Sequence, residues 1–501
     1  MRATESLWLA TADTRRFPRL DRERAFDVAI AGAGITGLTT ALLLKREGLR
    51  VAVLERGRVG GGATGLTTAK VSALQEVKYS EIRSRNGAGA AAAYAACSVA
   101  AVDRMEALVR ELGIDCAWER MPAYTYAGMP DQVDAVQEEA AAARAAGLPV
   151  ATTNVVPLPF AVPLAVRLDD QAQFHPVRYL HALADAVAGD GSEVFEESGV
   201  EGVAEGSPCR VRTLGGLTVS ADDVVIATNY PLLDRGLFFA RMEAVRSYCV
   251  AGPAPGRLPE GMLITAGSPT RSVRGFRDDG QEWIVVGGEG HLTGAGEAEP
   301  ERFAALDRFA REHYGVDEVP YRWSTQDGMP TDKVPYVGRY TPVSRHLYVA
   351  CGFQKWGMTG GTFAAELLRD RVAGLDNAHA GAFDPNRITL RSTPEVAKAG
   401  VWVARHLVGD RLTPAEAGSA ADVPTGEARV VRSGLGKSGV YRDEEGTVHA
   451  VSLRCTHLGC LLHFNDAERS WDCPCHGSRF GVDGEVLAGP ATHPLERRPA
   501  P

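Results

Sequence analysis

The first strong pattern of apolar and polar positions lies between Phe26 and Arg56. A short apolar run from Val28 to Ala31 predicts a buried strand, and a second run from Val51 to Leu54 predicts its neighbour. Between the two runs, a mostly apolar stretch that ends near Glu47 predicts a helix. The order strand, helix, strand is typical of a β-α-β unit with parallel strands.

Three glycines occupy the predicted turn between the first strand and the helix. Gly32, Gly34 and Gly37 form a G-x-G-x-x-G motif, whose glycines allow a tight turn, approach of a pyrophosphate and close helix–strand packing. Free backbone amides at a helix N-terminus attract phosphate. Glu55 ends the second strand, where an acid accepts hydrogen bonds from a ribose. Together these features predict a dinucleotide site.

A loop of small residues, Gly57 to Lys70, follows Glu55 directly. With this loop the chain resembles the D-amino-acid oxidase and glycine oxidase superfamily, and in particular its gamma-glutamylputrescine oxidoreductase-like branch, which binds FAD. The resemblance implies an α/β FAD-binding domain of the Rossmann-like, glutathione-reductase type and an α+β substrate domain with an antiparallel sheet. The residues that it places at FAD are Gly32, Gly34, Gly37, Glu55, Arg56, Thr64, Thr67, Thr68, Lys70, Val200, Gly352, Trp356, Gly357, Met358 and Thr359.

Three residues are candidates for catalysis: Lys70, Lys355 and Asp327. Lys70 is placed against the flavin, and a solvated surface lysine is its alternative interpretation. Lys355 lies between a predicted strand and helix that hold the pyrimidine edge of the flavin in the superfamily, where a positive charge would stabilise the anionic reduced ring.

Asp327 falls where amino-acid oxidases of the superfamily carry an Arg for the substrate carboxylate. An acid there favours an ammonium group and therefore an amine substrate. The alternative is that Asp327 caps a turn before Gly328.

The rest of this region alternates between helical and strand-like patterns. The predicted helices are Gly87 to Leu112 and Asp131 to Ala146; the predicted strands are Met121 to Tyr126, Val194 to Val203, Asp222 to Asn229, Met242 to Val250, Gly261 to Thr265 and Trp283 to Gly287. The glycine-rich stretch Gly287 to Gly294 is not followed by an apolar helix and a later strand-end acid, so it is interpreted as a loop and not as a second dinucleotide site. His175 precedes a proline and is interpreted as a helix start, with catalysis as the alternative.

Two short segments, C-T-H-L-G-C from Cys455 and C-P-C-H-G-S from Cys473, carry a metal-binding pattern. Each pairs one Cys with one nearby His: Cys455 with His457, and Cys473 with His476. In a Rieske [2Fe–2S] cluster, two Cys hold one iron and two His hold the other. Zinc also accepts two Cys and two His, although zinc fingers usually group Cys with Cys and His with His.

With Gly459, Gly477 and Ser478, these segments resemble the disulfide-bearing Rieske domain of respiratory and photosynthetic cytochrome complexes, over roughly Val423 to Pro501. The resemblance implies a small all-β domain, the ligands Cys455, His457, Cys473 and His476, and a disulfide between Cys460 and Cys475. High-potential members carry a Tyr where this chain has Phe480, so we expect a lower cluster potential.

The chain divides into four predicted segments. They are an N-terminal arm (1–24), an FAD-dependent oxidoreductase with an interleaved substrate domain (25–393), a helix and linker (394–421), and the Rieske domain (422–501). An apolar helix from about Pro394 to Leu407 is expected to begin the linker.

Composition narrows the class of partner. The chain has 501 residues, 45% apolar and 23% charged, and a net charge of −9, which is typical of a globular enzyme and argues against nucleic acid as a partner. Apolar runs fall short of the ~18 residues of a membrane span, and the N-terminal residues do not resemble a signal peptide. We expect a cytoplasmic protein with no membrane span.

The two cofactors predict the function. FAD takes two electrons as a hydride, and the cluster takes one electron at a time. The chain is therefore predicted to oxidise a small-molecule amine or amino acid and to pass the electrons through the cluster to an external one-electron acceptor. The alternatives are a reductase with reverse flow, a redox sensor or binding protein without turnover, and an oxidase with a structural Rieske domain.

Overall fold

The computed structural model describes residues 5–295, 299–387, 406, 414–433 and 436–500. The α-helices are α1 (Leu7–Ala10), α2 (Ile35–Arg46), α3 (Lys78–Asn86), α4 (Ala88–Leu112), α5 (Val133–Ala145), α6 (Pro176–Val187), α7 (Glu299–Tyr314), α8 (Gly357–Val372) and α9 (Ala380–Phe383). Short 3-10 turns cover Ala63–Leu66, Pro130–Gln132, Phe238–Ala240 and Ala420–Asp422. None of the described helices combines the length and apolarity needed to cross a membrane.

The strands form four sheets. They are β1 (Arg24–Ala31), β2 (Val51–Leu54), β3 (Lys70–Val71), β4 (Glu119–Tyr126), β5 (Ala151–Thr153), β6 (Ala165–Gln173), β7 (Glu193–Phe195), β8 (Val200–Ala204), β9 (Cys209–Thr213), β10 (Thr218–Ile226), β11 (Met242–Pro253), β12 (Met262–Thr265), β13 (Arg271–Asp278), β14 (Gln281–Leu292), β15 (Tyr321–Pro330), β16 (Tyr336–Arg339), β17 (Leu347–Cys351), β18 (Ala428–Ser433), β19 (Gly436–Arg442), β20 (Val448–Ser452), β21 (His463–Asn465), β22 (Ser470–Asp472), β23 (Arg479–Gly481) and β24 (Val486–Ala488). Residues 5–387 are called the large module below, and residues 414–500 the small module.

The first sheet of the large module is a parallel core with the order β16-β17-β10-β1-β2-β7, and β9 and β8 continue from β10. Strands β7, β2, β1, β10 and β17 run parallel, and β16 is antiparallel at the edge. All four residues of β2 are buried, as expected for a parallel strand that helices cover. Helix α2 packs against α8 and α6. The predicted β-α-β unit is confirmed.

The second sheet has the order β15-β11-β14-β13-β12-β4-β6-β3, with β5 beside β6. Most pairs are antiparallel, and β12 with β4 is parallel. Helix α7 packs against β11 and β14. This sheet and the parallel core confirm the predicted fold class of the large module.

The small module contains a three-stranded sheet, β18-β19-β20, and a four-stranded sheet, β21-β22-β23-β24. All of these pairs are antiparallel. Its core includes the buried rings of Trp471 and Phe480. The predicted all-β domain is confirmed. Apart from His406, the predicted helix from about Pro394 to Leu407 lies outside the described residues.

Two sequence predictions in the large module were wrong. The strand predicted from Val194 to Val203 is two strands, β7 and β8, because the chain turns between them at Glu197 (φ +51°). The stretch predicted as a loop from Gly287 belongs to β14 as far as Leu292. Its glycines serve close packing instead: a Cβ at Gly288 would lie 2.0 Å from the Thr270 carbonyl oxygen.

His175 begins a helix, as predicted. It is the N-cap of α6, and its Nδ1 accepts a hydrogen bond from the Arg178 backbone N–H at 3.3 Å. Burial lowers the pKa of His175 to about 3. The ring is therefore neutral and serves to start the helix.

A buried carboxylate joins the two modules. Glu468 of the small module accepts a hydrogen bond from Arg246 Nε of β11 at 2.6 Å and pairs with Arg479 at 3.2 Å. Ser324 of β15 also donates to Glu468. Burial alone would raise the pKa of Glu468, but the charges of Arg246 and Arg479 hold it at about 2. The interface therefore contains a charged and fully paired acid.

Two glycines with positive φ allow the modules to approach closely. A Cβ at Gly477 (φ +76°) of the small module would lie 2.5 Å from Ala244 Cβ. A Cβ at Gly294 (φ +70°) of the large module would lie 2.6 Å from the Pro474 nitrogen. Any side chain at either position would separate the modules.

We predict that Glu468→Gln weakens the attachment of the small module. A carboxylate with a native pKa of about 2 and an ordinary value of 4.5 stabilises the folded state fully above pH 4.5, and this contribution is lost as the pH falls towards 2. Loss of this charge lowers the free energy of unfolding by about 3 kcal/mol at pH 7. Urea unfolding, followed by visible circular dichroism of the cluster, should show this deficit at pH 7 and a shrinking one below pH 4.5.

The matched control is Glu444→Gln in the same module. Glu444 forms an exposed pair with Arg469, and such pairs contribute little. An equal loss of stability in the two variants would contradict the assignment of Glu468.

Candidate functional site

The turn after β1 depends on two glycines, because a side chain at either position would collide with the backbone. A Cβ at Gly32 (φ +103°) would lie 2.6 Å from the Ala227 carbonyl oxygen, and one at Gly37 would lie 1.9 Å from the Gly32 carbonyl oxygen. Helix α2 can therefore pack directly on the turn. Gly34 is the N-cap of α2 and offers no side-chain cap, and it lines a cavity together with Ile35 and Thr36 of the first helical turn.

Glu55 is held at the end of β2 by two backbone amides. Its Oε2 accepts from Ala33 N–H at 2.9 Å, and its Oε1 accepts from Gly57 N–H at 2.8 Å. Thr64 Oγ1 accepts from Ile35 N–H at 3.2 Å, at the first turn of α2. These contacts bring a glycine turn, a helix N-terminus and an acid to one cavity. This combination fits the pyrophosphate and ribose of FAD.

One cavity collects most of the predicted FAD residues. Those that line it are Gly32, Gly34, Glu55, Arg56, Thr64, Thr67, Thr68, Lys70, Val200, Trp356, Gly357 and Met358. The other three lie behind its wall. Gly37 supports the turn, Gly352 (φ +78°) makes a turn against Pro330, and the Thr359 hydroxyl accepts from Gln75 Nε2 at 2.9 Å.

Lys70 is buried in the wall of this cavity. Its Nζ donates to the Leu263 carbonyl oxygen at 2.9 Å and lies 5.9 Å from the centre of the Trp356 ring. Burial, followed by the charge of Arg274, lowers the pKa of Lys70 to about 7. A solvated surface lysine is therefore the wrong interpretation.

Asp327 and Lys355 lie in the same cavity. Burial raises the pKa of Asp327 to about 6, although the Lys355 charge and backbone N–H act in the opposite direction. A Cβ at Gly290 would lie 2.8 Å from Lys355 Nζ, so the small β14 residue makes room for the lysine. The three predicted catalytic residues therefore line one cavity.

Sequence reasoning missed Glu76. It lines the cavity beside Lys355, and burial raises its pKa while the Lys355 charge lowers it. Glu76 lies between β3 and α3, outside any recognisable motif, so the sequence carries no signal for it. A second set of missed residues comes from the small module: Gly489, Pro490, Ala491 and Thr492 line the same cavity.

The four predicted cluster ligands meet on two loops of the small module. Cys455, Cys473 and His476 are buried, and neither of the two Cys forms a disulfide. The His457 and His476 rings lie 5.0 Å apart between centroids. His457 Nδ1 and both ring nitrogens of His476 are buried without a hydrogen-bond partner among the described residues. Such nitrogens fit metal ligands.

The surroundings of these ligands also fit an iron–sulfur cluster. Cys460 and Cys475 form the predicted disulfide, with Cα atoms 6.5 Å apart. The Ser478 hydroxyl accepts from Ala491 N–H at 3.0 Å and has Cys455 as a neighbour. Burial lowers the pKa of His476 to about 4. The ring is thus neutral, which is the form that binds a metal.

The large module covers the histidine side of this site. His457 Nε2 and Asp234 Oδ1 share a hydrogen bond of 2.6 Å. The Phe239 ring meets the His476 ring edge-on, with centroids 5.4 Å apart. The Gly477 carbonyl oxygen accepts from Gln326 Nε2 of β15 at 2.8 Å.

Comparison with known proteins shows the family to which the chain belongs. The family model described as FAD dependent oxidoreductase matches residues 27–371. The chain belongs to this family. A second model, the Rieske [2Fe-2S] domain, matches residues 413–499. This FAD dependent oxidoreductase is therefore an enzyme with two cofactors, FAD and a [2Fe–2S] cluster.

One relative is similar to this chain in sequence, and two solved structures are similar to it in fold. YhfW of Bacillus subtilis (strain 168), whose name describes a Rieske 2Fe-2S iron-sulfur protein, is 35% identical over 99% of this chain and 97% of its own. Glycine oxidase from Geobacillus kaustophilus has a TM-score of 0.62 at 21% identity, and covers 73% of this oxidoreductase and 99% of its own chain. L-proline dehydrogenase from P. horikoshii has a TM-score of 0.58 at 16% identity, over 73% and 98% of the two chains. Both structures share the fold of the large module.

We predict opposite shifts of the cluster midpoint potential in two variants. Ser478→Ala removes a hydroxyl beside Cys455 that we expect to donate to the ligand sulfur, and it should lower the potential, because hydrogen bonds to sulfur stabilise the more negative reduced state. Phe480→Tyr offers a hydroxyl where high-potential Rieske proteins have one and should raise it. One such bond, at about 1.4 kcal/mol, corresponds to about 59 mV.

A redox titration followed by low-temperature EPR measures both shifts. The two variants are matched controls for each other, because both alter the cluster surroundings and only the sign of the change differs. Equal potentials in Ser478→Ala and the unaltered protein would contradict the role given to the serine.

Proposed function

We propose that this enzyme oxidises an amine or amino acid by hydride transfer to FAD and passes the electrons singly, through the Rieske cluster, to an external one-electron acceptor. FAD, when bound, accepts two electrons as a hydride, and a [2Fe–2S] cluster accepts one at a time. The substrate carbon next to nitrogen loses a hydride to give an imine, and water breaks the C=N bond of the imine to give a carbonyl compound and ammonia or a free amine. The hydride leaves as a proton and two electrons, one electron for each of two acceptor molecules.

The observation that carries this proposal is the position of strand β15. Consecutive residues of a strand point to opposite faces. Asp327 lines the flavin cavity, and the neighbouring Gln326 donates to the Gly477 carbonyl oxygen of the cluster loop. One strand thus separates the two cofactor sites, which supports direct electron transfer between them.

A second contact supports the same connection. Asn229, which lines the flavin cavity, donates from Nδ2 to the Gln326 carbonyl oxygen at 2.8 Å. The Gln326 side chain in turn receives a hydrogen bond from Thr293 at 3.1 Å. Two hydrogen bonds of Gln326, one at its backbone carbonyl and one at its side-chain amide, therefore link the wall of the flavin cavity to the cluster loop.

The charges in the cavity support an amine as the reacting group. Asp327 and Glu76 provide carboxylates that can bind an ammonium group, and Lys355 balances their charge. A substrate ammonium must lose a proton before hydride can leave the adjacent carbon. Lys70, with a pKa of about 7, is suited to accept that proton.

The decisive experiment is an anaerobic mixing experiment with the purified holoenzyme. Polyamines, N-methyl amines and D- and L-amino acids are each added, flavin absorbance is followed optically, and the cluster is followed by EPR. We expect an amine to bleach the flavin and the reduced Rieske signal to appear afterwards. If no compound bleaches the flavin while dithionite reduces the cluster first and the flavin second, the direction of flow is the reverse.

We predict that Asp327→Asn weakens binding of the amine at least tenfold, because the amide keeps the shape of the side chain and loses its charge. A charge-assisted hydrogen bond is worth roughly 1.5–3 kcal/mol, which is consistent with that factor. The measurement is the dependence of the anaerobic flavin reduction rate on amine concentration. The substitution should change the rate of flavin reduction at saturating amine only slightly. It should change the amine concentration that gives half of that rate by the larger factor.

The matched control is Asp169→Asn, which removes an exposed acid of β6 in the same sheet that pairs with Arg167. It should leave both parameters unchanged. If Asp327→Asn instead tightened binding of an amino acid, the acid would be repelling a substrate carboxylate, and the amine assignment would be wrong.

A further inference from the structure

A segment of the small module, residues 487–493, lies over the flavin cavity. Four of its residues, Gly489 to Thr492, line the same cavity as Gly32 and Glu55 of the large module. We propose that this segment is part of the FAD site: it covers the adenosine half of the bound cofactor, so FAD binds between the modules and cannot exchange while they are in contact.

The anchors on the large module place the segment at the adenosine half. Arg56 follows the acid Glu55 and donates from Nη2 to the Leu487 carbonyl oxygen at 2.8 Å. At the other end of the segment, His493 Nε2 lies 3.3 Å from Glu201, next to Val200 in the cavity wall. The predicted catalytic residues Lys70 and Asp327 are not among these anchors. Because both anchors adjoin predicted FAD residues, Glu55 and Val200, the proposed ligand under the segment is the cofactor.

The same segment is attached to the cluster loops on its other side. Ala491 N–H donates to Ser478 Oγ at 3.0 Å, and Thr456 Oγ1 donates to the His493 carbonyl oxygen at 2.7 Å. Ser478 and Thr456 each belong to one of the two loops that carry the cluster ligands. The segment thus contacts both cofactor sites. If it leaves the flavin cavity, either its hydrogen bonds to the cluster loops break or the cluster loops move with it.

The shared contacts imply that FAD release needs the modules to separate. Two features oppose separation of the modules. One is the buried pair of Arg246 and Glu468, and the other is the close packing at Gly294 and at Gly477. A flavoprotein whose cofactor is covered only by its own FAD domain has no such requirement. Affinity for FAD should therefore depend on a residue of the small module.

The test is the affinity of the full-length apoprotein for FAD. Thr492→Glu adds a carboxylate to the cavity wall, opposite a cofactor that carries two phosphate charges. We expect the dissociation constant for FAD, measured by quenching of flavin fluorescence, to rise at least tenfold. The matched control is Ala500→Glu, which adds the same charge at an exposed position of the same C-terminal stretch and should bind FAD as the unaltered protein does.

Hydrogen–deuterium exchange of the unaltered protein gives a second test that needs no substitution. Peptides covering residues 487–493 should exchange several-fold more slowly in the FAD-bound protein than in the apoprotein, with the cluster signal equal in both. Equal exchange in the two forms would overturn the proposal. Equal FAD affinity of Thr492→Glu and Ala500→Glu, with both variants folded, would overturn it as well.

Discussion

A buried carboxylate that two arginines neutralise holds the enzyme in one arrangement. Glu468 can stay charged away from water only while Arg246 and Arg479 both contact it, since an unpaired buried charge is costly. One arginine belongs to each module, so the modules cannot part without exposing or stranding a charge. This requirement fixes β15 against the cluster loop, and it fixes residues 487–493 over the flavin cavity.

Local features of the site could be predicted from the sequence. The turn glycines Gly32 and Gly37 are followed immediately by the helix that they admit. Cys455 pairs with His457 and Cys473 pairs with His476, so the repeated spacing indicates a shared metal cluster. In both cases the chemistry depends on residues that are close in the sequence, and tertiary packing brings the two ligand loops together.

Features that depend on long-range packing could not be predicted. Glu76 reaches the cavity through the packing of β3 and α3, and no flanking motif indicates this. Gly489 to Thr492 reach it from another module, far along the chain. Gly287 and Gly288 were misread because a glycine needed for close packing looks the same in sequence as a glycine in a loop. In each case the position of the residue depends on a neighbour that is distant in the sequence.

The covered histidines restrict which part of the small module another protein can reach. Asp234 and Phe239 occupy the side of the cluster site on which His457 and His476 lie. The His457 side chain is therefore only 6% exposed, whereas Leu458, the next residue of the same loop, is 43% exposed. In the electron transfer proposed above, an external acceptor would have to approach the small module away from the side that Asp234 and Phe239 cover.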